Sequence, residues 1–376
     1  MNSRGLKAAL LERALLEKLN QILGGISWLS SPPSPRAAAH RGDATIEVGS
    51  STGTRAVLRV HVKSEMRPST FPAWAAAQGA KASGPDEVQV LAMPFVSARL
   101  ADLCRRINWS WLDLSGNCWL DVPGALHVER SGNLPVPRPR RRGANLSTPE
   151  AARVMRVLLS PGHAGWDWKQ RALELETCWP RPNGSSVSLG LVNKVLRHLR
   201  DEGYVTYTAG RGVRLHDPVG LLRAWSDAYR FGRQGRLAYF TLLKRRQLTA
   251  ALNRAGLDAG GLVAYAAFSA AERQAPQVRQ PRTWLYAAAE HVDVLAKHAR
   301  AKEVDTGENL VVLVPDDLGV FLSWLPERPT SEASLGCTDP VQTYVDLMHC
   351  GGRGEEAAEA VLEQCILPAW RRAGLA

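Results

Sequence analysis

Residues 188–205 read SLGLVNKVLRHLRDEGYV, and residues 204–217 read YVTYTAGRGVRLHD. In the first run Leu189, Val192, Val195, Leu196 and Leu199 recur at steps of three and four, which predicts a helix with one buried face. Ser188 stands where a side-chain oxygen caps the first turn, and Gly203 ends the run. The opposite face is expected to present Gly190, Leu191, Asn193, Lys194, Arg197 and Arg200, with short side chains at its N-terminal end. The second run alternates on either side of Ala209, Gly210, Arg211 and Gly212, the pattern of a hairpin that carries Arg211 and Arg214.

Upstream, STPEAARVMRVLLSPG (147–162) offers Ser147 or Thr148 as a cap, Pro149 in the first turn, and Val154, Val157 and Leu158 as a buried face. WDWKQRALELET (166–177) reads as a second helix, followed by an unusually long loop, CWPRPNGSS. Three helices and then a basic hairpin are the parts, in order, of a winged helix-turn-helix. Such a unit, here 147–217, sets its third helix in a major groove and its wing against phosphate or the adjoining minor groove. Double-stranded DNA is the expected partner; the competing reading is a winged helix used only for protein contact.

Charge supports the first reading. The 376 residues carry a net +11, but unevenly. Residues 1–143 hold 19 Lys/Arg against 11 Asp/Glu, residues 144–286 hold 21 against 10, and residues 287–376 hold 7 against 15. A concentrated positive centre suits a polyanion, whereas the acidic end suits solvent or a protein partner. With 45% hydrophobic and 22% charged residues the composition is that of packed domains. No run of 18 apolar residues is present, and no leader pattern opens the chain, so a cytoplasmic protein without membrane association is expected. The six cysteines, 104, 118, 178, 337, 350 and 365, form no C-x-x-C pair and read as small buried hydrophobes.

The flanks read as α/β domains. Residues 4–23 predict an amphipathic helix, ATIEV (44–48) and AVLRVHV (56–62) a hairpin, VQVLAMPFV (88–96) a strand, SARLADLCRRI (97–107) a helix, and WSWLDLSGNCWLDV (109–122) two strands. LPVPRPRRRGANL (134–146) has three prolines and no core pattern. It marks a linker whose Arg138, Arg140, Arg141 and Arg142 could lie along phosphates. Beyond 217, helices are expected at 219–231, 248–257, 261–271, 340–352 and 354–374, and strands at 283–288 and 309–315. The expected architecture is therefore an α/β multidomain chain: an α/β domain over 1–134, a linker at 135–146, the winged helix at 147–217, and an α/β or α+β domain over 218–376.

Four stretches together resemble a known family: INWSWLDLSGNCWLDV (107–122), SLGLVNKVLRHLRDEGYV (188–205), HDPVGLLRAWSDAYRF (216–231) and DPVQTYVDLMHCGGRGEEAAEAVLEQCILPAW (339–370). They resemble, in order, regulators of the AbiEi type, antitoxins of type IV toxin–antitoxin systems. The resemblance implies a restriction-endonuclease-like N-terminal domain, a central winged helix, and a C-terminal domain of its own. It also implies operator binding and autorepression beside a nucleotidyltransferase-like toxin, with a homodimer as one assembly. Leu191 departs from the threonine common in similar recognition helices; an apolar group there meets a thymine methyl but donates no hydrogen bond.

An endonuclease-like domain raises a Mg²⁺-dependent nuclease as the rival function. Its candidate residues are Asp43 and Glu47 on one strand, and His61 and Lys63 on the next. Histidine stands where a second carboxylate should be, and a neutral imidazole is a poor ligand for hard Mg²⁺, so a degenerate site is expected. GGRGEE (351–356) lacks the Lys-Ser/Thr of a phosphate loop, His291 and His298 are off zinc-helix spacing, and Asp316-Asp317 reads as a turn. No catalytic residue, metal or cofactor is expected. The function predicted is a sequence-specific DNA-binding regulator of antitoxin type rather than an enzyme; the other alternative is a DNA-binding adaptor of a plasmid or phage assembly.

Overall fold

In the computed structural model, which describes residues 3–26, 36–37, 43–49, 55–79, 87–135, 143–178, 186–208, 210, 212–260, 262–322 and 335–375, the chain divides into two units. One comprises Met1–Arg142 with Asp201–Gly203, and the other Gly143–Arg200 with Tyr204–Ala376. The arginines expected to act from the linker, Arg138 and Arg140 to Arg142, lie outside the described residues, as does Arg211.

In the first unit, helix α1 (Ser3–Gly24) buries Leu15, Leu19, Ile22 and Leu23 against a sheet. Among the described residues that sheet has seven strands in chain order: β1 (Arg36–Ala37), β2 (Asp43–Gly49), β3 (Arg55–Val62), β4 (Glu87–Met93), β5 (Ser110–Asp113), β6 (Cys118–Val122) and β7 (Leu126–Arg130). Strand period two decides its faces. Ile46, Val48, Leu58, Val60, Val90 and Leu112 meet α1, whereas Leu91, Met93 and Trp111 point to the other side. There α2 (Phe71–Gly79) and α3 (Ala98–Arg106) carry the crossovers that make β3, β4 and β5 parallel. The flanking pairs are antiparallel. The sequence patterns predict α1, β2 to β6 and α3, whereas β1, α2 and β7 were not among the expected elements.

In the second unit, the order is α4 (Pro149–Leu159), α5 (Gln170–Glu176), α6 (Leu189–Asp201), β8 (Val205–Thr208), β9 (Gly212–Leu215) and α7 (Pro218–Ala228). Then come β10 (Gly235–Phe240), α8 (Arg245–Asp258), β11 (Val263–Tyr265), α9 (Ala267–Gln274), β12 (Thr283–Ala287), α10 (Val292–His298), β13 (Lys302–Glu303) and β14 (Leu310–Val314). Helices α11 (Pro340–Met348), α12 (Gly354–Val361) and α13 (Leu367–Arg372) close it, the last two joined by a π turn at Leu362–Ile366 ahead of Pro368. Beside the β8–β9 pair, the described strands form a mixed sheet in the order β11, β12, β14, β10, β13. Leu285, Leu310 and Val312 face α8 and α10. Tyr286, Val311 and Leu313 face a larger core that holds α4, α6, α7, α9, α11 and α12.

Two expectations change here. The segment 261–271, expected to be one helix, is strand β11 followed by α9. Val263, Ala264 and Tyr265 are buried on both faces and pair with β12, so no alternation marked them as a strand. Strand β10, for which no element was expected, fits antiparallel to β14. The boundary expected between 217 and 218 is crossed by one continuous core, in which Val195 and Leu199 of α6 cluster with Trp225 and Val341.

Helix α4 explains that continuity. Every residue from Ala151 to Leu159 is buried, two arginines included. The Arg153 Nε donates to both Asp317 oxygens at 2.8 and 3.0 Å, and its Nη2 to Oδ2 at 2.8 Å. Arg156 lies over the Trp225 ring and donates to Gln342 Oε1 at 2.6 Å. Gln342 passes the chain on to the Tyr229 hydroxyl (3.0 Å) and Asp346 Oδ1 (2.7 Å), which also accepts from Tyr286 (3.0 Å). Ser160 donates to Asp339, the cap of α11, at 2.7 Å. Burial pushes the Asp339 carboxyl up to about 6 and Asp346 up to about 7.

Two outcomes follow. Asp317→Ala leaves a buried guanidinium without its counter-charge and should lower stability by about 3 kcal/mol, read from the urea midpoint. Because the folded Asp346 value is raised, its contribution to stability is complete below the unfolded value of 3.8 and is lost as pH rises through about 7. Asp346→Asn should flatten that decline in denaturation curves taken across the same pH window.

Candidate nucleic-acid interface

Thr148, rather than Ser147, caps α4: its hydroxyl accepts from the Ala151 N–H at 3.3 Å. Between α4 and α5 the backbone departs from the expected helix over 166–177. Trp168 exchanges hydrogen bonds with Val213 of β9 at 2.7 and 2.8 Å, and only from Gln170 does the chain turn helical. A short third strand position is thereby added to the β8–β9 hairpin. Gly212 makes the approach possible. Its φ is +118°, and a Cβ there would collide with the Trp168 carbonyl.

Helix α6 buries Val192, Val195, Leu196 and Leu199. Its first turn differs from the expected phase: Leu189, assigned to the core, is 41% exposed, and Leu191, assigned to the outer face, packs on the core. The two residues flank Val192 in helical projection, and the closer packing of α6 on the Leu191 side decides between them. Outward stand Ser188, Gly190, Lys194, Arg197 and Arg200, with Asn193 half-buried beside them. Gly190, Asn193, Lys194 and Arg197 form a row at helical spacing, with the two cations toward its C-terminal half. Arg200 lies over the Tyr207 ring of β8, 5.7 Å from its centre, which ties the end of α6 to the hairpin.

Arg214, expected to reach for phosphate, is engaged inside the unit. Its Nε and Nη2 donate to Asp167 at 2.9 and 3.2 Å, and Nη2 also reaches the Gly165 carbonyl. The bidentate pair braces the hairpin base against the α4–α5 connection. Asp167 and Trp168 went unrecognised in the sequence because their partners lie more than forty residues away. Nothing local signals the pairing.

In the first unit, Asp43 and His61 are opposite one another in the β2–β3 register, and Glu47 stands opposite Val57. The backbone positions of Asp43 and Glu47 are thus about 13 Å apart along one strand. His61 is 2% exposed; its Nε2 meets Gln89 Oε1 at 2.7 Å, and the Gln89 amide donates to Glu87 at 2.8 Å. The imidazole stacks on Trp109 and meets the edge of Trp74, while Lys63 Nζ lies 5.0 Å from the Trp74 ring centre. Among the described residues no group of three His, Cys, Asp or Glu side chains is placed to hold a metal. The nuclease alternative gains no support from this geometry. His61 serves to fill and pair within an aromatic pocket.

Gly212→Ala should separate β9 from Trp168 and lower stability by about 1–3 kcal/mol, seen in thermal melts, and by more than Gly210→Ala, which bears the strain of a φ of +72° but meets no atom.

Among the described residues no helix is long and apolar enough to cross a membrane. No curated protein and no solved structure matches the chain. Residues 214–367 match a family model described as transcriptional regulator, AbiEi antitoxin, type IV toxin–antitoxin system. The matched part begins in β9 and runs through the mixed sheet to the start of α13. Over this segment the chain is similar to the AbiEi antitoxin family of transcriptional regulators, the family that the sequence resemblance named.

Proposed function

We propose that the chain is an AbiEi-type regulator that binds duplex DNA through a winged helix-turn-helix spanning 147–217, with α6 in the major groove. The observation that carries this reading is the outward row Gly190, Asn193, Lys194 and Arg197 on a helix whose other face is buried. Small residues at the N-terminal end allow close approach, Asn193 offers a bidentate amide for a base edge, and Lys194 and Arg197 offer charge for phosphate or guanine. The order of elements agrees: helix, one bridged strand position at Trp168, two helices and a hairpin. Arg211 is the candidate wing contact, whereas Arg214 acts by fixing the wing.

The finer family properties belong to the same proposal: autorepression at the chain's own promoter, and a nucleotidyltransferase-like toxin as partner. The first unit is read as a restriction-endonuclease-like scaffold in which His61 has become part of the packing, and the linker arginines 138 and 140–142 as phosphate contacts. Assembly as a homodimer would place two copies of α6 on paired half-sites.

Double substitution Lys194→Ala with Arg197→Ala should weaken binding to a duplex from the chain's upstream region and lower the salt-dependence slope by about 2, one for each phosphate that these side chains neutralise. Fluorescence anisotropy at several salt concentrations measures both quantities. Unchanged affinity and slope would remove α6 from the interface.

A further inference from the structure

Helices α8 and α9 and the start of β12 enclose a cleft of about 240 Å³ within the family-matched segment. Its floor is apolar, formed by Leu248 and Leu252, both buried. Its walls carry three guanidinium groups, those of Arg245, Arg273 and Arg282. Two have carboxylate partners: Arg245 pairs with Glu272, which also lines the cleft, at 2.5 Å, and Arg282 with Glu308 at 3.2 Å, a carboxylate it shares with Arg236.

Arg273 is different. Among the described residues no carboxylate lies within ion-pair distance of it. Its Nη1 donates to the Ser269 carbonyl at 2.8 Å, and its guanidinium carbon sits 3.4 Å from the centre of the Tyr265 ring. The backbone contact and the Tyr265 side chain together hold the charge in place at the cleft wall, so the cost of ordering it on binding is already met by the fold. The surroundings reinforce the field. Residues 241–286 carry seven Lys/Arg against two Asp/Glu, a positive island immediately before the acidic final stretch.

We propose that this cleft is a binding site for a small organic anion, one phosphate or carboxylate joined to an apolar body. A planar guanidinium with no carboxylate partner among the described residues is matched by either head group, and the leucine floor by the body. Inorganic phosphate alone would leave that floor wet. A duplex backbone is too wide to enter a concavity of this size. The wall that carries Arg273 is also linked to the buried network: Gln274, its neighbour on α9, donates to the Thr338 carbonyl at 2.7 Å, one residue from the Asp339 cap of α11. Occupancy is thereby connected, through α11 and Gln342, to Arg156 on α4.

Calorimetric titration of the full-length chain with phenyl phosphate, benzoate and inorganic phosphate tests the assignment. Phenyl phosphate or benzoate should bind more tightly than inorganic phosphate, and whichever of the two is favoured identifies the head group. Arg273→Ala should weaken that binding about tenfold, the scale of one charge-assisted contact. Arg279→Ala, an equal change of charge outside the lining, should leave it intact. If Arg273→Ala does not fold by circular dichroism, Arg273→Lys replaces it and should also weaken binding, since an ammonium cannot reproduce the stacked fork. Absence of binding by both aromatic probes at millimolar concentration, or equal loss in Arg273→Ala and Arg279→Ala, overturns the proposal. Displacement of a bound probe by a short DNA duplex does so too, by assigning the cleft to nucleic acid.

Discussion

The bidentate pair between Arg153 and Asp317 is the contact on which the second unit turns. It joins a helix from the first part of that unit to a residue 164 positions away, just beyond β14. Arg156, one turn further along α4, makes the parallel connection to Gln342 on α11. Both arginines are buried, so each would carry a heavy desolvation penalty if its partner were missing. Helix α4 can therefore sit in only one orientation, with each guanidinium opposite its acceptor. Hydrophobic packing around it supplies cohesion, but the paired polar groups fix rotation and register.

That arrangement gives the helix–helix–helix–hairpin segment a character that isolated domains lack. Its first helix is shared property, packed on α5, α7, α11 and the Leu318–Phe321 turn and belonging to the same core as the buried face of α6. In the proposed reading, DNA contact at α6 and events in the family-matched segment act on one continuous core. Displacement of α11 would be felt by Arg156 directly. The wall of the Arg273 cleft is joined to α11 by the Gln274–Thr338 bond and α11 to α4 by the Asp339–Ser160 bond, and α4 shares a core with the buried face of α6.

The first unit shows a different use of polar residues. His61, Gln89 and Glu87 form a line of hydrogen bonds across β3 and β4, extended by the Arg59–Glu87 ion pair and walled by Trp74 and Trp109. A face that could have carried carboxylates at metal-binding distance instead carries an amide and an imidazole that satisfy each other. The interior is filled; Glu47 and Arg55 are exposed, and Lys63 is half-buried beside Trp74. The chemistry of this face is that of packing.

Much of the scaffold was legible from local pattern. The period of 188–201 announced α6 and its buried side, the alternation at 205–215 announced the hairpin, and the paired runs in 44–62 and 109–122 announced the sheet of the first unit, because burial of one face imposes its period on the residues. The Lys194 and Arg197 side of α6 was legible for the same reason. The exchange of Leu189 and Leu191 was not, since both lie beside the seam and only the packed neighbours choose between them. Nor did the sequence disclose that Trp168 is a strand position, that Arg214 is spent on Asp167, or that β11 is a strand. Each of these depends on a partner distant in the chain. Local spacing determined which faces are apolar and where cations cluster; tertiary structure decided which of those cations remain available, because an arginine's role is set by the carboxylate, carbonyl or ring that folding brings beside it.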